Sequence, residues 1–355
     1  MKRLFAFALA LLLALSLAAC GSGGNISSGG ATSTESESSK VSSIVPSGEN
    51  ASSETNSQTV QVQNPVFAFN APVLSSDLPD FNFSVFEREY TGKEDYSFVY
   101  KIKISCPELT DYTPQTIEVP SSVKWDDKRS DRGIELVDID FDGCTDIQVA
   151  VSEGNVNRMY EYYRWNYFAG KGYGEFELKP FFEMVCYQYK LFPDTKQIIG
   201  FARSSALDHP RTMYQLGETQ NGGWLGKYTP IRWDEQSFDD SMITERVFFM
   251  DNEVFNKSVT EKDFDFKSDT VSDNYLRFGI DNPISIDKAQ DILRKDKGTV
   301  AQENGFPIGY TFEEMCLKDK LSCYKFRAQW LVDNNHWSTI GFYGVTPDGK
   351  VYDAN

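Results

Sequence analysis

Four aspartates crowd one short stretch of the chain, Val137-Asp138-Ile139-Asp140-Phe141-Asp142-Gly143-Cys144-Thr145-Asp146-Ile147. Counted from Asp138, carboxylates fall at positions one, three, five and nine, with glycine at six, which is the spacing of a calcium loop. Aspartate oxygens are hard ligands suited to a hard dication. Gly143 permits the sharp turn that would bring Asp138, Asp140 and Asp142 around one centre, with the Cys144 carbonyl pointing inward at position seven. Carboxylates this close repel one another unless a cation neutralises them. The predicted ligands of a Ca2+ ion are therefore Asp138, Asp140, Asp142, Asp146 and the Cys144 carbonyl. Glu153 is the candidate for a last ligand from outside the loop. An Asp-rich β-turn without metal has the same residue types, and the glycine and the fourth aspartate favour the metal.

The flanks decide what holds such a loop. Position twelve is Val149, so the bidentate glutamate of an EF-hand is missing. Ile134 to Val137 before the loop and Ile147 to Val151 after it are rich in β-branched residues, which predicts strand, loop, strand. Downstream lies an aromatic run, Tyr160-Glu161-Tyr162-Tyr163-Arg164-Trp165-Asn166-Tyr167. In one strand, Tyr160 and Tyr162 share a face, while Tyr163, Trp165 and Tyr167 share the other. Two readings stand for these five aromatics. One face is a binding platform for a sugar ring or a protein, or both faces are buried.

The Asp loop resembles those of the FG-GAP and VCBS-type calcium-loop families. The segment from Leu136 to about Phe176 resembles secreted bacterial β-proteins that inhibit bacteriolytic enzymes in a calcium-dependent way. The matching features are the loop, the turn Gly154-Asn155-Val156-Asn157, the tyrosine-rich strand and the hairpin Ala169-Gly170-Lys171-Gly172. This resemblance implies an antiparallel β fold, a calcium ion and a cell-wall-acting enzyme as partner.

Other chemistry is thin. His209 and His336 are isolated, with no G-x-S-x-G, P-loop or H-E-x-x-H motif near them. Glu153, Glu161 and Glu183 could supply a glycosidase carboxylate pair, but strand carboxylates usually face solvent. Trp125-Asp126-Asp127 and Phe238-Asp239-Asp240 lack the glycine and spacing of a metal loop and read as solvated turns. With 52 acidic against 35 basic residues and a net charge of -17, nucleic acid is excluded as a partner.

The N-terminus carries Lys2 and Arg3, an apolar run from Phe5 to Leu17, and Leu17-Ala18-Ala19-Cys20-Gly21. That arrangement resembles a bacterial lipoprotein signal peptide cut before Cys20, whose thiol takes lipid such as palmitate. The run is short for a membrane span. The expected location is the extracytoplasmic face of the cell membrane, lipid-anchored. Residues 21–64 are rich in Gly, Ser, Thr and Glu and read as a disordered tether, roughly 35–40 Å in root-mean-square length. Cys106, Cys144, Cys186, Cys316 and Cys323 follow, an odd number. Cys316 and Cys323 are close enough to bridge a hairpin, and buried free thiols fit equally well.

The folded part, roughly 290 residues, suggests about two domains. Residues 65–270 read as an antiparallel β barrel or sandwich. Expected strands include Tyr96–Cys106, Thr116–Pro120, Met159–Phe168, Gly174–Leu178, Lys196–Arg203, His209–Leu216, Trp224–Trp233 and Arg246–Phe255. Residues 268–282 read as a polar connection. Residues 271–355 read as a small α+β domain: a helix over Ser285–Lys295, capped by Ser285 and stopped by Gly298, then a meander. That ending, through Val345…Asp348-Gly349-Lys350-Val351-Tyr352, resembles PepSY-type and cystatin-like domains, which implies a binding or inhibitory role. The fold class expected is mainly β. The function expected is a calcium-stabilised, non-enzymatic binding lipoprotein whose partner is a cell-wall enzyme or wall glycan. Two alternatives are an extracellular carbohydrate-active hydrolase using paired carboxylates and a structural module of a surface complex.

Overall fold

In a computed structural model, residues 64–73, 78–128, 132–168, 170–204, 208–218, 224–301, 305–333 and 336–354 are described. The expected leader through Cys20, the lipid expected there and nearly all of the expected tether lie outside them. Alternating apolar residues separated by turn residues make strands, and nearly every element is one. A first sheet joins β1 (Phe67–Ala71), β2 (Phe81–Glu89), β3 (Phe98–Ser105) and β4 (Gln115–Ser121) in sequence order. A second joins β5 (Ile134–Val137), β6 (Asp146–Glu153), β7 (Arg158–Tyr163) and β10 (Phe182–Cys186). Between β7 and β10 lies a two-stranded hairpin, β8 (Trp165–Phe168) and β9 (Tyr173–Phe176). A six-stranded meander follows: β11 (Gln188–Phe192), β12 (Gln197–Phe201), β13 (Arg211–Glu218), β14 (Trp224–Asp239), β15 (Met242–Phe249) and β16 (Asn252–Thr260). The last sheet is β17 (Ile308–Lys318), β18 (Leu321–Asp333), β19 (His336–Val345) and β20 (Val351–Asp353). Every strand pair is antiparallel. The chain is thus mainly β.

The second sheet is an inner layer. On one side Ile147, Val149, Tyr163 and Trp165 share a core with Phe81, Phe83, Ile102 and Val119 of the first sheet. On the other, Tyr162, Phe182 and Met184 pack against Ile198 and Tyr228 of the six-stranded sheet. Strand β6 is accordingly buried from Asp146 to Val151. An internal strand is mostly apolar on both faces, and Ile147 to Val151 is apolar except for Gln148, whose Oε1 accepts from the Tyr162 and Tyr189 hydroxyls at 2.9 and 3.1 Å. The far face of the six-stranded sheet, with Ile199, Met213, Ile231 and Val247, packs under Leu276.

Two helices complete the fold. The short α1 (Asp273–Phe278) lies in the stretch read as a polar connection. Ser272 accepts from the Tyr275 N–H, and Gly279 ends it at φ +85°. The second, α2 (Ile286–Lys297), is capped by Ser285, which accepts from the Lys288 N–H, and ends at Gly298 as its sequence predicts. Ala289 and Leu293 pack on Tyr310, Phe326 and Ala328 of the last sheet. The stretch Arg246–Phe255, expected as one strand, turns at Met250 and Asp251, both at positive φ, and supplies parts of β15 and β16. All five described cysteines are buried free thiols. Cys316 and Cys323 face each other in register, with the Cys316 Sγ 3.1 Å from the Tyr352 hydroxyl. No helix among the described residues is long and apolar enough to cross a membrane.

Candidate metal centre

Strands β5 and β6 form a hairpin closed by the pair Val137 and Asp146, and the aspartate loop is its connection. Phe141 and Gly143 sit at φ +57° and +87°, which turns the chain back within a few residues. The side chains then organise the loop from inside. Asp138 Oδ1 accepts from the Asp142 N–H at 3.1 Å and Oδ2 from the Gly143 N–H at 3.1 Å. Asp140 Oδ1 accepts from the Asp142 N–H at 3.2 Å. Asp146, fully buried, accepts from the Ile139 N–H at 3.2 Å and the Trp165 N–H at 2.9 Å.

This brings Asp138, Asp140 and Asp146 together: one carboxylate oxygen from each lies within 4.8 Å of the others. Oxygens bound to one Ca2+ at about 2.4 Å can be no farther apart than that. The donor set therefore fits a hard dication. Asp142 is not part of this triad. It is exposed, and its Oδ1 accepts from the Cys144 N–H at 2.8 Å. The Cys144 thiol is buried in the core between the first two sheets, pushed up to about 12 by burial first and Asp142 second. Glu153 is excluded as a last ligand. It ends β6, seven residues beyond Asp146 and so about 23 Å along the strand, and pairs with Arg158 at 2.9 Å.

The triad is short of positive charge. Burial first, and then the neighbouring carboxylates, raise Asp146 to about 8 and Asp140 to about 6, and burial raises Asp138. Among the described residues, one basic side chain pairs with them. The Arg164 Nε lies 2.7 Å from Asp140 Oδ2, and its Nη2 lies 3.9 Å from Asp142 Oδ2. The Nε contact lacks hydrogen-bond alignment, and that nitrogen is buried without a hydrogen-bond partner. A second side chain with a polar tip packs on the loop. Tyr228 of β14 is 6% exposed, packs in the cluster that holds Ile139, and its hydroxyl has no hydrogen-bond partner. Burial first, and then Asp140, Asp138 and Asp146, push its ionisation far upward.

Neither Arg164 nor Tyr228 is visible as a site residue in the sequence. Arg164 is the one cation inside the aromatic run, and there the expected strand Met159–Phe168 breaks into β7 and β8. The break aims the guanidinium at the loop. The aromatic platform is not formed. Tyr162, Tyr163 and Trp165 are buried and Tyr160 is half-buried, because β7 lies between two sheets, and Tyr167 alone is exposed.

A second carboxylate cluster lies under the six-stranded sheet. Asp234 and Glu245 are each 1% exposed and abut Arg211. The Arg211 Nε donates to Asp234 at 2.8 Å and its Nη2 to the Val271 carbonyl at 2.9 Å. Glu245 accepts from the Val271 N–H at 2.9 and 3.0 Å. A shallow cavity of about 200 Å3 nearby is lined by Tyr187, Phe201, His209, Arg211, Gln236 and Phe266. His336 is exposed at the start of β19.

No family model and no curated protein matches the chain. Among solved structures, one described as "Structure of a Xanthomonas Type IV Secretion System related protein" is 14% identical at a TM-score of 0.29, covering 56% of this chain and 95% of that one. A likeness that distant carries no weight for fold or function.

Proposed function

We propose that this chain is a cell-surface lipoprotein and a binding module braced by calcium. The observation that carries the calcium reading is the triad Asp138, Asp140 and Asp146, with one oxygen from each inside the span of a single coordination sphere. The ion's role is structural. It would hold the β5–β6 connection against β8, whose first N–H already rests on Asp146. Lipid attachment at Cys20 rests on the leader sequence and puts the module outside the cytoplasmic membrane. The partner proposed is a cell-wall-acting enzyme, which the module would inhibit, or wall glycan, and the support is the resemblance of the segment from Leu136 to about Phe176. Calcium titration by calorimetry on the wild type and Asp140→Ala tests the ion, and equal heats would discard it. Capture from envelope extract with calcium and with chelator tests the partner.

A specific observation favours one other reading, a hydrolase with paired carboxylates. Glu161 and Glu183 are direct cross-strand partners on β7 and β10. Burial first and Glu183 second push Glu161 up to about 7, where it could hold a proton near neutral pH. Release of reducing ends from wall glycan by the wild type, lost in Glu161→Gln, would establish that activity.

A further inference from the structure

We propose that Arg164 is a resident cation that competes with the metal, so that the loop binds calcium only weakly until the guanidinium is displaced; this rests on the calcium reading above. The geometry is direct. Arg164 Nε stands 2.7 Å from an oxygen of Asp140, a member of the triad. An ion bound through Asp140 would sit about 2.4 Å from its carboxylate. The two positive centres then fall well within a Debye length of ~10 Å and repel each other. The contact is also poorly made, because the Nε points at Asp140 without alignment and has no hydrogen-bond partner. A guanidinium committed to this place would donate in line, as Arg211 does to Asp234. At 30% exposure, the Arg164 side chain has a route to solvent.

The buried, unpartnered Tyr228 hydroxyl is a second, independent observation at the loop. It comes from another sheet, its side chain packs in the same cluster as Ile139 of the loop, and its hydroxyl donates to no protein group. It fits a hydrated ion, which would give it an oxygen to meet. The lack of a bidentate glutamate at position twelve and the resident arginine both lower affinity. They place the site with extracellular calcium modules, whose dissociation constants are about 10⁻⁴–10⁻³ M. Occupancy would then follow the calcium level outside the cell.

The test is calorimetric calcium titration of the full chain as wild type, Arg164→Gln, Arg164→Lys and Asp140→Ala, with thermal unfolding of each in chelator and in saturating calcium. Arg164→Gln should bind calcium at least ten-fold more tightly than the wild type. It should melt lower than the wild type in chelator and recover in calcium. Arg164→Lys keeps the charge and should bind within about three-fold of the wild type. Binding by the wild type that is unchanged or weakened in Arg164→Gln overturns the competition and leaves the calcium site standing. No uptake by any of the proteins overturns both.

Discussion

Two buried carboxylate clusters in this chain each face one arginine, and they are completed differently. Under the six-stranded sheet, Arg211 donates in line to Asp234 and to the Val271 carbonyl, while Glu245 takes the Val271 N–H. Protein groups hold most of that cluster, and only Asp234 Oδ1 is left without a hydrogen-bond partner. In the β5–β6 loop, three triad carboxylates meet one guanidinium that is misaligned, and a tyrosine hydroxyl nearby is unmet. Burial raises carboxylates in both places, so raised carboxylates alone do not mark a metal site. What separates the two is the arginine: Arg211 makes an aligned hydrogen bond to its carboxylate, and Arg164 does not.

The contrast can be broken most sharply from the closed side. Arg211→Met leaves Asp234 and Glu245 buried beside each other and should cost about 3–5 kcal/mol, read as a lower urea midpoint. It should leave any calcium response intact. The open side predicts the reverse pattern. Calcium at 100 times its dissociation constant should add about 2.7 kcal/mol of stability. Chelator should remove that gain, and Asp140→Ala should show none of it by thermal unfolding.

A pH series sharpens the comparison further. Burial first and Asp234 second push Glu245 up to about 7 in the fold, against about 4.5 in the unfolded chain. Below the lower value both states hold the proton and nothing is lost. As pH rises between the two, the unfolded chain releases its proton first, so folding stability falls; above about 7 the loss is complete. Glu245→Gln should remove about 1–2 kcal/mol of that fall, seen as flatter urea midpoints across the window. The smallest effect belongs to Asp142→Ala. Losing the Cys144 cap should cost about 0.5–1 kcal/mol and disturb calcium binding less than Asp140→Ala does.

How much of this could be read in advance follows from range. The loop's strand flanks and the Ser285-capped helix are written in residues a few positions apart and appear as the sequence predicts, and the loop forms between those flanks but leaves Asp142 out of its triad. The expected strand Met159–Phe168 is right in kind but misses the break at Arg164, because only the distant loop explains why a cation stops an aromatic strand. Tyr228 lies in β14, far along the chain, and its packing with Ile139 of the loop depends on how two sheets stack. The helix α1 was hidden because its six residues, with only Tyr275, Leu276 and Phe278 apolar, are too few to show a periodicity, although Ser272 and Gly279 are a cap and a stop in plain sight. The platform failed for a related reason. Alternation tells which tyrosines share a face but not that both faces are covered.

Arg232 carries one more consequence. Its Nη1 donates to the carbonyls of Leu276 and Arg277, both at 3.2 Å, and to the Ser322 hydroxyl at 2.9 Å, while Nη2 reaches the Lys320 carbonyl. It is a strand residue of the large meander, 1% exposed, and every one of these partners comes from the last quarter of the chain. Severing the backbone between the two should therefore release no independently folded fragment, since the cut pieces would each expose either a lone guanidinium or a ring of orphaned carbonyls. A protease that nicks the connection ought to leave a particle that still migrates whole and melts in one step.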